Sequence, residues 1–223
     1  MSVMSFEALV PGSRGRELRV ALLGAMRRAY TENVDRYDPD GIGDDATWFG
    51  LSVSRNLPHI VDALTRHLEG VEARRTSNTF FLQIDGAFEL YFCKAPPNAP
   101  SVEAVGFDSH VRSRIVTRNG SHLQMRLDLV GGTTRALSDE AQAPYAVIVH
   151  FGGPESGFER AVVGAPYVLA DSDLGWEWQE PFEETASEEG RSTVRALAPR
   201  PKPGAGEFGL VLRPAADVAD EHS

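Results

Sequence analysis

The hydrophobic period of this chain changes near Thr79, and that change constrains the fold more than any other feature. Before it, Leu18, Leu22, Ala25, Met26 and Ala29 recur at spacings of three and four, which predicts an amphipathic helix over residues 14–34 with Ser13 capping its start. Asp38-Pro39-Asp40-Gly41 and Gly43 then break the pattern, so residues 35–45 read as a loop. A second helix is expected over residues 57–68, with Ile60, Val61, Leu64 and Leu68 on one face, Pro58 in its first turn and Gly70 ending it.

After Thr79 the period is two. Phe80, Leu82 and Ile84 alternate with polar or outward neighbours, and Phe88, Leu90 and Phe92 resume the pattern, which is the signature of a β-hairpin. A two-residue turn at Asp85-Gly86 would set Leu82 against Glu89 and put the two apolar rows on opposite faces. A three-residue connection through Ala87 aligns them, and burial of several large side chains outweighs the preference of one turn type. The prolines of residues 96–100 end the pairing.

A second hairpin is expected from a strand over residues 111–117, an Asn119-Gly120 turn and a strand in which Leu123, Met125, Leu127 and Leu129 alternate with polar residues. Residues 137–143 suit a short helix, 145–151 an apolar strand, Gly152-Gly153-Pro154 a turn and 161–169 another strand. Helices first and a mainly antiparallel sheet afterwards make an α+β fold, a compact domain over residues 1–170. From residue 171 onward, Asp171, Asp173, Glu177, Glu180, Glu183, Glu184, Glu188 and Glu189 follow with no intervening Lys or Arg, which predicts an acidic C-terminal arm over 171–223. Within it Trp176 and Trp178 either pack back onto the sheet or anchor a partner, and residues 208–212 suit a docking strand.

Composition narrows the function. At 42% hydrophobic and 24% charged the chain reads as a globular protein with no apolar run of membrane-spanning length and no secretory leader. Cys93 is the only cysteine, so no internal disulfide forms, and a reducing, cytoplasmic setting is expected. A net charge of −10 sets long-range electrostatics against nucleic-acid backbones. Arg14, Arg16, Arg19, Arg27 and Arg28 give the first helix a basic side that reads as its solvated face, because no recognition helix follows at helix-turn-helix spacing.

Two acidic groupings carry possible chemistry. Asp38, Asp40 and Asp44 are candidate hard-cation ligands, but Ile42 stands where an EF-hand-like loop needs an oxygen, so turn-forming and capping roles are preferred. Asp85, Glu89 and Lys94 resemble the acidic pair and lysine of a degenerate PD-(D/E)xK nuclease, with Asp40 upstream; Mg²⁺ would sit on the acids and the lysine beside the attacking water. Glu89 and Lys94, five positions apart, point to opposite faces of a regular strand. The six histidines form no zinc-binding pair, no Gly-rich phosphate loop or nucleophile elbow is present, and no cofactor is expected.

The run 37–45 followed by Thr47-Trp48-Phe49-Gly50, together with His150-Phe151-Gly152-Gly153-Pro154 and Val163-Gly164-Ala165-Pro166, resembles actinobacterial proteins encoded beside ImmA/IrrE-type metallopeptidases. The resemblance covers about residues 14–180 and implies a toxin–antitoxin or phage-response pairing with such a metallopeptidase as partner. Its motifs carry no catalytic residue. The expected role is therefore a non-enzymatic interaction or regulatory protein, antitoxin-like, that meets its partner through Trp176, Trp178, Glu180, Glu183 and Glu184. The Mg²⁺-dependent nuclease is the alternative.

Overall fold

The computed structural model describes residues 5–41, 43–76, 79–107, 109–130, 145–168 and 174–184. The chain divides into a unit of residues 1–186 and a second of 187–223, and the second lies wholly outside the described residues. So do the segments expected to form a helix at 137–143 and a docking strand at 208–212.

The fold is α+β, with N-terminal helices packed on a six-stranded, mainly antiparallel sheet. Its elements are α1 (Phe6–Leu9), α2 (Ser13–Val34), α3 (Ala46–Thr65), β1 (Val71–Thr76), β2 (Thr79–Ile84), β3 (Phe88–Lys94), α4 (His110–Val130), β4 (Tyr145–Gly153), β5 (Gly157–Tyr167) and β6 (Gly175–Pro181). The strands lie in sequence order; β3 and β4 run parallel and the other neighbours antiparallel. Side chains of alternating parity feed two apolar clusters. Leu82, Ile84, Leu90, Ala146, Ile148 and Val163 meet α2 and α3, whereas Tyr91, Cys93, Val147, Val149 and Phe151 meet α4.

The stripe predicted for α2 is buried at every expected position, from Leu18 to Ala29. Ser13 is not the cap: Gly12 is, without a side-chain bond. The basic side of α2 is used internally, because Arg14 pairs with Asp85, Arg19 with Glu180, Arg27 with Glu184 and Arg28 with Glu32. The first hairpin has the expected odd-length turn, with Ile84 opposite Phe88 and Leu82 opposite Leu90. Asp85 and Gly86 both take positive φ, 53° and 64°, a conformation open to Asp and Gly at little cost.

Four expectations need correction. Helix α3 starts at Ala46, eleven residues earlier than expected, because the Asp45 carboxylate accepts from the Trp48 amide and caps it; Phe49, Val53 and Leu57 continue the buried face. Pro58 is thereby interior and deprives the Ser54 carbonyl of its helical donor. Strand β1 was not expected; most of its side chains are exposed, so it lacks strict alternation of apolar and polar residues. The region of the second expected hairpin is the single helix α4. Asn119 there donates from Nδ2 to the carbonyls of Tyr145 and Pro166 and accepts at Oδ1 from the Tyr145 amide, all within 2.9 Å, tying α4 to β4 and β5. Gly120 lets that face approach so closely that a Cβ would collide with the Val168 carbonyl oxygen.

The fourth correction concerns the acidic segment. Residues 175–181 complete the sheet as β6, because Trp178 supplies a side chain large enough to close the α2 face and is only 8% exposed. Phe182 follows it into the core, edge-on to Phe6 at 5.1 Å between centroids.

Two of the helical glycines make opposite predictions. Nothing lies within 4 Å of a Cβ built at Gly24, so Gly24→Ala should stabilise the fold by about 0.5–1 kcal/mol through helix propensity. Gly120→Ala gains the same propensity but must push α4 off the sheet, a net loss of about 1–3 kcal/mol. Urea denaturation of both variants checks this; equal shifts would refute the close approach of α4.

Candidate functional site

The β2–β3 ladder stops at Phe81 opposite Tyr91, whereas β3 remains paired with β4 as far as Lys94 opposite His150. The amino end of β2, still paired with β1 up to Thr79, therefore separates from the carboxyl end of β3. A cleft of about 840 Å³ opens in this split. It lies at the carboxyl end of the parallel pair, where the crossover to α4 leaves the sheet, the position at which open α/β sheets commonly hold ligands.

Four elements bring cations to the cleft. Arg55 comes from α3, Arg75 from β1, Lys94 from the end of β3 and Arg112 from the first turn of α4. No Asp or Glu is among the described lining residues, and among the described residues none of the four cations forms an ion pair. Four of the five arginines of α2 do, which sets the cleft apart. Hydroxyls of Ser54, Thr76, Thr79 and Ser109 add short donors, and Phe80, Tyr91, Phe92 and Phe107 add apolar wall. Ser54 and Pro58 both line the cleft.

Local electrostatics follow from burial. Lys94 is half-buried; loss of water lowers its ammonium pKa, which the nearby Glu159 partly offsets, and among the described residues Nζ donates to the Ala95 carbonyl alone, at 3.5 Å. Arg112 donates to the Gly106 carbonyl at 3.0 Å, so part of its guanidinium fork is committed to the backbone. His150 is buried, and desolvation together with Lys94 and Arg112 lowers its pKa to about 3. Its Nδ1 lies 3.0 Å from the Tyr30 hydroxyl in a hydrogen bond. Burial raises the Tyr30 pKa, so phenol and imidazole both stay neutral near pH 7. Cys93 is buried as expected, with its thiol pKa pushed up by desolvation.

The nuclease-like residues do not converge. Asp85 sits in the β2–β3 turn, bonded to Arg14, while Glu89 near the start of β3 accepts from the Tyr91 hydroxyl. Lys94 stands at the strand's far end, roughly 16 Å from Glu89 at the rise of an extended strand. The loop acids serve the backbone: Asp38 accepts from the Gly41 amide, Asp44 from the Asp38 amide and Asp45 caps α3. Among the described residues no group of three His, Cys, Asp or Glu side chains can hold a metal ion, and Asp40 is an exposed turn residue.

The residues expected to meet a partner are largely engaged within the chain. Trp178 is in the α2-side core, and Trp176 is half-buried on the other face, edge-on to Phe107 at 5.9 Å. Glu180 pairs with Arg19, whose guanidinium lies over the rings of Phe6 and Phe182 at 5.1 and 5.0 Å. The Glu183 carbonyl accepts from Arg19, and Glu184 pairs with Arg27. These contacts latch the end of β6 onto α1 and α2.

Sequence reasoning named Lys94 for a different chemistry and did not find Arg55, Arg75 or Arg112. They come from separate elements, so no local spacing joins them. The one usable signal was that Lys94, one of two lysines in the chain, follows the apolar run Leu90–Cys93 at the end of a strand. No family model, curated protein or solved structure matches this chain. No helix among the described residues is long and apolar enough to cross a membrane.

His150 generates a pH test. In the unfolded chain it takes a proton below about pH 6.5, whereas the folded chain resists protonation until about pH 3. Unfolding thus binds an extra proton between those values, so stability is lost as pH falls, at up to about 1.4 kcal/mol per unit. Urea midpoints from pH 6.5 to 5 should fall for the native chain and for Tyr30→Phe, and stay flatter for His150→Gln. Equal slopes in all three would show that His150 is protonated in the fold.

Proposed function

We propose that this chain is a non-enzymatic recognition protein that captures an anionic ligand in the β2/β3 cleft. The supporting observation is the convergence of Arg55, Arg75, Lys94 and Arg112 without a described carboxylate on the lining, in a chain whose net charge is −10. Concentrating uncompensated positive charge in a partly desolvated cleft costs folding free energy, and an anion relieves it. Guanidinium forks suit the planar or tetrahedral oxygens of carboxylate and phosphate, with Lys94 as the compact point charge and the threonine and serine hydroxyls as neutral donors.

This reading keeps the regulatory character expected from the sequence and moves the contact from the tryptophan-bearing segment to the cleft. Two observations favour binding over hydrolysis. The imidazole on the cleft wall is neutral, buried and bonded to Tyr30, and the thiol is buried with its nucleophilic form disfavoured. Asp85 and Glu89, the carboxylates of the nuclease reading, are held elsewhere by Arg14 and Tyr91.

Thermal-shift and calorimetric titrations with inorganic phosphate, pyrophosphate and citrate test the proposal. At least one should stabilise the protein saturably. Lys94→Met and Arg112→Gln should each weaken it about 10- to 100-fold, the worth of a charge-assisted hydrogen bond. Arg28→Gln, on the opposite helix and paired with Glu32, should leave it unchanged. Saturable binding that survives both cleft substitutions would overturn the assignment, as would no binding by the native chain.

A further inference from the structure

A second cavity, of about 460 Å³, adjoins the first along α3. The two share Arg55 and His59, so a ligand seated at the cationic end can continue into the neighbouring space without leaving the surface of one helix. The linings differ in kind. The second cavity presents Trp48, Tyr37 and Phe49 with Asn33, Asn56 and Ser52, aromatic surfaces and neutral hydrogen-bonding groups, and it carries one carboxylate, Asp44, which also accepts from the Asp38 amide.

Trp48 is the unusual member. It is 49% exposed, whereas Phe49 beside it is buried, and Tyr37 is set edge-on against Phe49 at 5.8 Å. An indole in the first turn of a helix and open to solvent on a cavity wall offers a flat stacking surface at little conformational cost. Behind it the amides form a short chain: Asn33 donates to the Ala29 carbonyl at 2.6 Å, and Asn56 donates to Asn33 Oδ1 at 3.2 Å. Both Nδ2 groups thus donate within the protein, and both residues line the cavity. Arg36 adds a charged donor to the lining.

We propose that the anion in the β2/β3 cleft is the phosphate end of a nucleotide-sized ligand whose heterocycle occupies the second cavity, stacked on Trp48. This rests on the anion-binding reading above and adds the chemical class of the ligand. The spacing suits it: Trp48 and Arg55 are seven residues apart on α3, about 10 Å along the axis. An aromatic surface at Trp48 and cationic side chains at Arg55 and in the adjoining cleft are the two features that the base and the phosphate of a nucleoside phosphate need. A single nucleotide is favoured over a strand because the remaining surface is acidic and repels a continuous phosphate backbone.

Tryptophan fluorescence and calorimetry on the full chain decide this, with the four ribonucleoside monophosphates, adenosine, inorganic phosphate and an adenine-containing RNA decamer as probes. At least one monophosphate should bind about tenfold or more tighter than inorganic phosphate, the usual gain from one stacked base, with quenching of Trp48 emission. Trp48→Leu should erase that advantage and leave phosphate binding intact, while Trp48→Phe restores part of it. Phosphate binding with no nucleotide advantage overturns the nucleotide assignment and spares the anion cleft, as does an advantage that survives Trp48→Leu. Binding of neither probe overturns both. A decamer that binds more tightly than every monophosphate overturns the single-nucleotide assignment in favour of a strand.

Discussion

The double-sided burial of β4 is the constraint on which the rest of this structure depends. Tyr145, Ala146, Val147, Ile148, Val149, His150 and Phe151 are all buried, so both faces of the strand need a cover. Burying a large apolar side chain contributes about 1.5–3 kcal/mol, and satisfying that demand on two faces requires a helical layer on each. Helices α2 and α3 supply one layer. The chain provides the other by running α4 across the far face between β3 and β4, and a crossover of that kind makes the two strands parallel. Asn119 and Gly120 then set how closely α4 can sit.

The cleft is a by-product of the same arrangement. Strand β3 follows β4 to its end, while β2 follows β1 away from it. The backbone between them is left without a ladder, and side chains from α3 and α4 reach the opening from opposite layers. Charge is sorted accordingly. Arginines on α2 are neutralised by acids from β6 and the β2–β3 turn, so the acidic segment near the end of the described chain acts as a counter-ion set for the first helix. The cations at the cleft form no ion pair with an acid among the described residues, and Glu159 near Lys94 offsets their field only in part. An acidic molecule thus carries a local basic site, which a net charge cannot reveal.

How far the chain could be read depended on whether an element's neighbours lay close in sequence. The α2 stripe and the β2–β3 register were legible because their decisive contacts are local: the helix repeats every three or four residues, and the hairpin aligns Leu82 with Leu90 across three. Helix α4 was misread because Leu123, Met125, Leu127 and Leu129 alternate as a strand does, and Asn119-Gly120 carries the composition of a hairpin turn. Distant partners overrode both signals: Asn119 finds its hydrogen bonds on Tyr145 and Pro166, 26 and 47 residues away. The acidic segment was misread in the same way, since Trp178 and Phe182 pack on elements from the opposite end of the chain.

The sequence by itself determined the class of fold, the first helix, the first hairpin with its odd turn, and the use of the loop acids as backbone ligands. Each follows from periodicity or from hydrogen bonds spanning a few residues. Only the tertiary structure decided that β3 and β4 are parallel, that β6 belongs to the sheet, and that Arg55, Arg75, Lys94 and Arg112 share a cleft. Those outcomes depend on which faces must be buried together, a condition satisfied between residues far apart in the chain and leaving no local pattern in it.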